Sequence, residues 1–400
     1  MKKQILALAV SGGLAAAPMG AMAAPEVYGL IDIGLETLSD SNDASGGEIF
    51  SGFNSPSGDN ASGRGFEGGK SADKDFQLSN GMQSRIGVRG SEDLGWGGLE
   101  ASYNIELGVD VLNESGGATD APGVSTRLGW AALGGDWGKI KVGSQWQALY
   151  EFGGWNTHRT DVHGYGSYFY TTGVLNDAES GNATGSVGYG FRQSSAISYQ
   201  YGSAWGHSDP FAFNVTLGIG EGEREDTNDN VVTNQEGVSS VQVAGQYSID
   251  QRISVNAVYV REFNDYDTAG TGVGGVVNNE VELMNVGGRW SVTDALEFGV
   301  NYTQVDTDNA DSDKRDALAI ASFMDFGEGL TGHLGLANGS DDRDDTTFSG
   351  RDIDLNAYGF VKQALSDRTN VRLECEHVKY DGYLDDADAT LAMVALQHSF

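Results

Sequence analysis

The sequence predicts an all-β chain: a sixteen-stranded antiparallel transmembrane β-barrel. Three observations carry that reading. Apolar and mixed residues alternate with a period of two in segment after segment. The links between those segments are by turns short and long. The amino terminus has the form of an export signal, which takes the chain out of the cytoplasm.

Composition sets the outer limits. Of 400 residues, 39% are hydrophobic, enough for a large core, so general disorder is excluded. There are 57 acidic and 24 basic residues, giving a formal charge of −33. This charge repels phosphate polyanions and no basic run interrupts it, so no nucleic-acid partner is expected. The single cysteine, Cys375, excludes an internal disulfide framework, a cysteine-based zinc site and an iron–sulfur cluster held by one chain. Neither a cofactor nor a metal is expected. Glycine, at 59 residues, is roughly twice its usual share and scattered among Val, Ile, Tyr, Phe and Thr, as many strands joined by many turns require.

Residues 1–23 read as the signal. Met1-Lys2-Lys3 is a basic start, Ile5 to Val10 an apolar core, and Ala21-Met22-Ala23 a small-x-small cleavage site. Cutting one residue later would place Pro25 directly after the scissile bond. The apolar core is too short to span ~30 Å as a helix, which disfavours an anchor. Removal leaves 24–400 as one domain of 377 residues, and losing Lys2 and Lys3 takes the charge to −35. No later stretch approaches the ~20 apolar residues of a spanning helix.

Along β-strand candidates, Val27, Ile31, Ile33 and Leu35 alternate with Tyr28, Leu30, Asp32 and Glu36. Tyr103, Ile105 and Leu107 alternate with Glu100, Ser102, Asn104 and Glu106, and Leu296, Phe298 and Val300 with Glu297, Gly299 and Asn301. A soluble sandwich would alternate as well, so the links decide. Short links stand at 94–97, 134–137, 200–209, 250–251, 291–294, 325–329 and 364–368. Longer polar ones lie near 39–80, 110–123, 148–186, 221–237, 264–279, 306–315, 339–350 and 381–388. Seven short and eight long links join sixteen strands whose two ends share the short-turn rim, the plan of an outer-membrane barrel. Tyr28, Trp96, Trp130, Trp137, Tyr201, Trp205, Tyr259, Trp290, Tyr302 and Phe326 fall near strand ends, where aromatic girdles sit. The final strand places Val394, Leu396, His398 and Phe400 on one face.

The segment Ser84-Arg-Ile-Gly-Val-Arg-Gly-Ser-Glu-Asp-Leu-Gly95 resembles the second strand and following turn of Gram-negative general porins. Arg127-Leu-Gly-Trp-Ala-Ala-Leu133 and Gly138-Lys-Ile-Lys-Val-Gly-Ser-Gln-Trp146 are similar to their fourth and fifth strands. The terminal Phe400 resembles their assembly signal. The resemblance covers essentially the whole chain. It implies a homotrimer in the outer membrane of a Gram-negative bacterium, in contact with lipid and lipopolysaccharide. Each barrel would have an inward-folded third loop forming an eyelet.

That loop is the 148–186 link, rich in aromatics and carrying Glu151, Arg159 and Asp161. General porins oppose loop carboxylates with wall arginines, and Arg85, Arg127 and Arg192 occupy matching positions. Alternation sets Arg85 against Ile86 and Val88, Arg127 against Leu128 and Trp130, and Arg192 against Phe191, so each is expected to point inward. The chain departs from the family at Leu30, where many relatives are basic, and in the loop, where Glu151-Phe-Gly-Gly154 only approaches the family stretch.

The six histidines form no nucleophile arrangement or HExxH pair, which sets a barrel enzyme far behind. Acid runs such as Asp341-Asp-Arg-Asp-Asp345 lack the glycine and bidentate glutamate of a calcium loop and read as solvated outer loops. The resemblance therefore implies passive diffusion of small hydrophilic solutes and ions, filtered by size and charge. A barrel of the same fold tuned to a sugar or organic acid is the alternative. Wall acids and the missing charge at Leu30 point to weak cation preference.

Overall fold

The computed structural model describes residues 24–40, 74–79, 84–109, 111–112, 124–157, 192–205, 209–220, 222–225, 231–235, 237–267, 276–308, 313–341, 351–382 and 388–400. Its first strands are β1 Glu26–Asp40, β2 Lys74–Ser79, β3 Arg85–Asp93, β4 Glu100–Val109, β5 Val124–Gly135, β6 Gly138–Trp146, β7 Arg192–Tyr201 and β8 Phe211–Ile219. After a short hairpin, β9 Gly222–Glu225 and β10 Val231–Gln235, come β11 Val238–Ile249, β12 Ile253–Asp267, β13 Val276–Thr293, β14 Leu296–Asp308 and β15 Asp313–Gly327. The chain finishes with β16 Leu330–Asp341, β17 Arg351–Ala364, β18 Thr369–Gly382 and β19 Asp388–Ser399.

Every neighbour pair is antiparallel, and β1 closes the sheet by pairing with β19 from Leu30↔Ser399 to Asp40↔Ala389. On its other side β1 pairs first with β3 and then with β2. β2 and β3 are thus two pieces of one strand, and the Ser84 hydroxyl accepts the Asp32 N–H (3.0 Å) at the break. With that strand counted once and the β9–β10 hairpin set apart, sixteen strands surround the lumen. Closure removes the sheet edge, which lipid could not satisfy.

The links differ from expectation in length. β2 lies inside the expected 39–80 loop, and strands run past the expected rim, so 306–315 shrinks to 309–312 and 381–388 to 383–387. Strand pairing continues there because polar side chains above the apolar band do not break a ladder: Thr307 still pairs Asp313. The loop expected at 148–186 occupies 147–191. The signal lies outside the described residues.

Burial is inverted relative to a water-soluble protein. Ile31 and Leu35 are exposed while Asp32 and Glu36, which follow them, are buried; Leu373 is 53% exposed and its neighbours Arg372 and Glu374 no more than 1%. The same holds for Val394 and Leu396 outside against Met393 and Ala395 inside. An apolar outer wall around a polar interior is what a lipid surround requires. Trp96, Trp137, Trp290 and Phe326 are exposed near the short turns, as a girdle demands. Three of the expected girdle residues turn inward instead. Tyr28 lies over Gly87 and donates to Asn104 and Glu106; Trp130 lies under the buried Lys141; and Trp205 packs on lumenal rings.

Arginine at the bilayer midplane on such an outer face costs about 2–4 kcal/mol. Ile320, midway along the outer face of β15 and exposed, should impose that penalty when changed to Arg. Denaturant titration of the Ile320→Arg barrel in vesicles would measure it, with Ser91→Arg, on the inner face of β3, as the tolerated comparison.

Candidate functional site

The chain leaves β6 at Trp146 and turns into the lumen. Tyr150–Gly154 forms a π-helical turn and Trp155–Thr157 one further helical turn. Leu149 and Phe152 are fully buried against inner-wall residues that include Ala212, Ala244, Val258 and Leu283. Small or aliphatic side chains on these inner positions make room for the segment, so an apolar patch stands inside the lumen.

Side-chain amides seat the rest. Ala148 N–H donates to Gln242 Oε1 (3.0 Å). Asn156 Nδ2 donates to Asn256 Oδ1 (2.7 Å) and Asn301 Oδ1 (2.9 Å), while Asn301 Nδ2 donates to the Gly153 carbonyl (2.6 Å) and Thr157 Oγ1 (3.0 Å). The Tyr358 hydroxyl of β17 donates to the Thr157 carbonyl (2.9 Å). Gly299 is required: a Cβ there would overlap the Asn156 carbonyl oxygen. The segment therefore crosses from β6 to the wall of β12, β14 and β17, which matches the expected inward loop over residues 147–157.

The three expected arginines are brought to one side. Arg127 Nε lies 2.6 Å from Glu106 Oε1, and Arg85 Nε 3.7 Å from Glu106 Oε2. Arg192 is in electrostatic reach of Arg127, Arg85 and Glu106, and its guanidinium carbon stands 5.7 Å from the Trp146 ring. Arg127 points inward, but not for the expected reason. Glu106 faces Leu128 and Leu107 faces Thr126, so Arg127 is the extra residue of a β-bulge. Beyond it the faces exchange, and Leu128 and Trp130 lie inside too.

Glu151 is buried beside β6 and β7, where Gln200 Nε2 reaches its Oε2 at 3.5 Å. Burial pushes its carboxyl above the usual range, and the ammonium groups of Lys141 and Lys139 pull it back. It thus answers to lysines that sequence reasoning passed over, not to the arginine group. Arg159 and Asp161 lie outside the described residues.

A second polar group was missed. Arg372 binds Asp32 (2.8 Å) and Glu374 (3.0 Å), with Glu36 and Glu376 buried on the same inner face of β1 and β18. The alternation of Val371, Leu373 and Cys375 with Arg372, Glu374 and Glu376 was the available signal. Among these described residues, three arginines face one carboxylate on the β3–β7 wall and four carboxylates face one arginine on the β18–β1 wall.

A family model described as Gram-negative porin matches residues 7–383. The chain belongs to the Gram-negative porins. Over the full length of both chains it is 24% identical to an outer membrane porin protein of Bordetella pertussis. Its fold is similar to the anion-selective porin of Comamonas acidovorans, with TM-score 0.65, 16% identity and coverage of 94% of this chain and 99% of that one. It is also similar to OmpT of Vibrio cholerae in a trimer form, with TM-score 0.58, 14% identity and coverage of 94% and 99%. This porin is a channel across the outer membrane of a Gram-negative bacterium, and its family are channels, not enzymes.

Replacing Gly299 with Ala should unseat residues 153–157, because overpacking of this kind costs about 1–3 kcal/mol. Single-channel conductance should rise in Gly299→Ala and stay native in Gly245→Ala, whose added Cβ would have only the Ala212 carbonyl at 4.0 Å.

Proposed function

We propose that this porin passes small hydrophilic solutes and ions through an eyelet made by the inward loop and the Arg85–Arg127–Arg192 wall, filtering by size and by a transverse field. The observation that carries this reading is the seating of residues 147–157 across the lumen, together with a wall on which Arg85 and Arg127 share Glu106 and Arg192 lies within their electrostatic reach. Positive and negative inner walls bias ions without binding them tightly, as conduction requires. The wall acids outnumber the wall arginines and Leu30 adds no charge, which favours weak cation preference, unlike the anion selectivity of the Comamonas protein.

Residues 1–23 act as the export signal, short turns face the periplasm, three copies associate as in the trimer form of the Vibrio protein, and lipid with lipopolysaccharide surrounds them. A barrel tuned to one sugar or organic acid would need free ring faces. Tyr150 and Trp155 are instead engaged by Trp205 in T-shaped contacts, which favours the general filter.

Phe400 serves as an assembly signal by completing closure. Its N–H and carbonyl pair with Gly29, and its ring lies over that glycine. Deleting Phe400 should lower the yield of heat-modifiable barrel on gels, and an undiminished yield would remove the assignment.

Reversal potentials under a salt gradient test the field. Glu106→Gln should move the channel toward anions and Arg127→Ala toward cations. Both shifts should be large at 0.01 M salt, where the Debye length is ~30 Å, and small at 1 M, where it is ~3 Å. Equal selectivity in both variants would overturn the eyelet wall and leave the barrel intact.

A further inference from the structure

The link between β7 and β8 departs from the other short turns. It spans residues 202–210, where its counterparts at 136–137, 294–295 and 328–329 have two residues each. It starts at Gly202, with φ at +65°, and is tied by Ser203 N–H donating to Asp209 Oδ2 (2.7 Å) and Trp205 N–H to Ser203 Oγ (3.3 Å). Instead of facing away from the barrel, its residues 202–205 bend into the lumen. Ala204 is 1% exposed and belongs to the same apolar cluster as Leu149 and Phe152. The Ala204 carbonyl accepts a hydrogen bond from Arg289 Nη2 (3.2 Å), which also donates to Gln246 Oε1 (3.3 Å) on β11. The Trp205 ring meets Tyr150 at 5.6 Å and Trp155 at 5.6 Å, both edge to face.

Trp205 thus contacts the first residue of each of the two inward helical turns, Tyr150 and Trp155, while Asn256 and Asn301 hold Asn156 by hydrogen bonds. We propose that residues 202–205 of this turn form a strut that holds the constriction segment in place from the short-turn rim, with Trp205 as its contact and Arg289 as its anchor. Trp205 is a positioning residue. It sets how often the segment leaves the seated state, and so how often the channel departs from its open level. The inference rests on residues 147–157 forming part of the constriction.

Planar-bilayer recording of the full-length protein tests it, with gel heat-modifiability as the check of folding. Trp205→Ala should raise the frequency of excursions from the open level by roughly tenfold, the scale set by losing two edge-to-face ring contacts. Trp205→Phe, which keeps a ring, should lie near the native protein. Arg289→Met, which strips the anchor and leaves Trp205 in place, should act in the same direction as Trp205→Ala. A folded Trp205→Ala channel with native excursions and native solute cutoff would overturn the strut. Should that variant fail to fold, Arg289→Met decides, and native behaviour there overturns it. Gly299→Ala separates the two readings: if it alters conductance while Trp205→Ala does not, the strut falls and the constriction stands. If neither alters it, both fall.

Discussion

The structure depends first on the hydrogen bonds between β1 and β19. In hydrocarbon an unpaired backbone group has no water to turn to, so a sheet can stand in a membrane only when its first and last strands satisfy one another. Eleven consecutive partners, Leu30↔Ser399 to Asp40↔Ala389, do this here. Everything else follows the parity they impose: Asp32 and Glu36 must look inward because Ile31 and Leu35 look outward. A one-residue slip would carry the carboxylates into lipid. Arg372 of β18 and Gln397 of β19 hold Asp32, so the seam is fastened inside by charge as well as along its backbone.

Closure creates a lumen, and the lumen must then be narrowed without being filled. The inward segment solves this with two kinds of contact. Leu149 and Phe152 bury against aliphatic wall residues, and Asn156 and Asn301 exchange amide hydrogen bonds. The first kind holds the segment by burial, and the second specifies where on β12 and β14 it rests. Absence of a side chain at Gly299 is as necessary as the presence of either asparagine.

Much of this was legible in the sequence because a strand's faces are written every second residue. The outer wall at Ile31, Phe298 and Leu396, the inward Arg85, and the strand count all follow from period and link length. Legibility failed where the period failed. At Arg127 an extra residue exchanges the faces, and nothing in Arg-Leu-Gly-Trp marks the bulge, so Leu128 and Trp130 read as outward. Trp205 failed differently: an aromatic near a strand end looks the same whether its link turns toward lipid or toward the lumen. The partnership of Arg372 with Asp32 joins strands at opposite ends of the chain, and alternation gives the face but not the neighbour. The sharing of Glu106 by two arginines also needed the register between β3, β4 and β5.

The seam has a kinetic side. Asp32 and Gln397 stand 365 positions apart. Loop closure itself is cheap, because each doubling of length adds only about 0.6 kcal/mol of entropy, but distant pairings form slowly. Until residues 389–399 arrive, one side of β1 remains an open template, and once β19 has formed it presents the matching edge. Two immature chains offer each other the same complementary edges that one chain must join within itself. The contact that makes the finished molecule edge-free is therefore the one that makes its precursor most prone to pair with a stranger. Folding such a chain is a contest between self-closure and concentration.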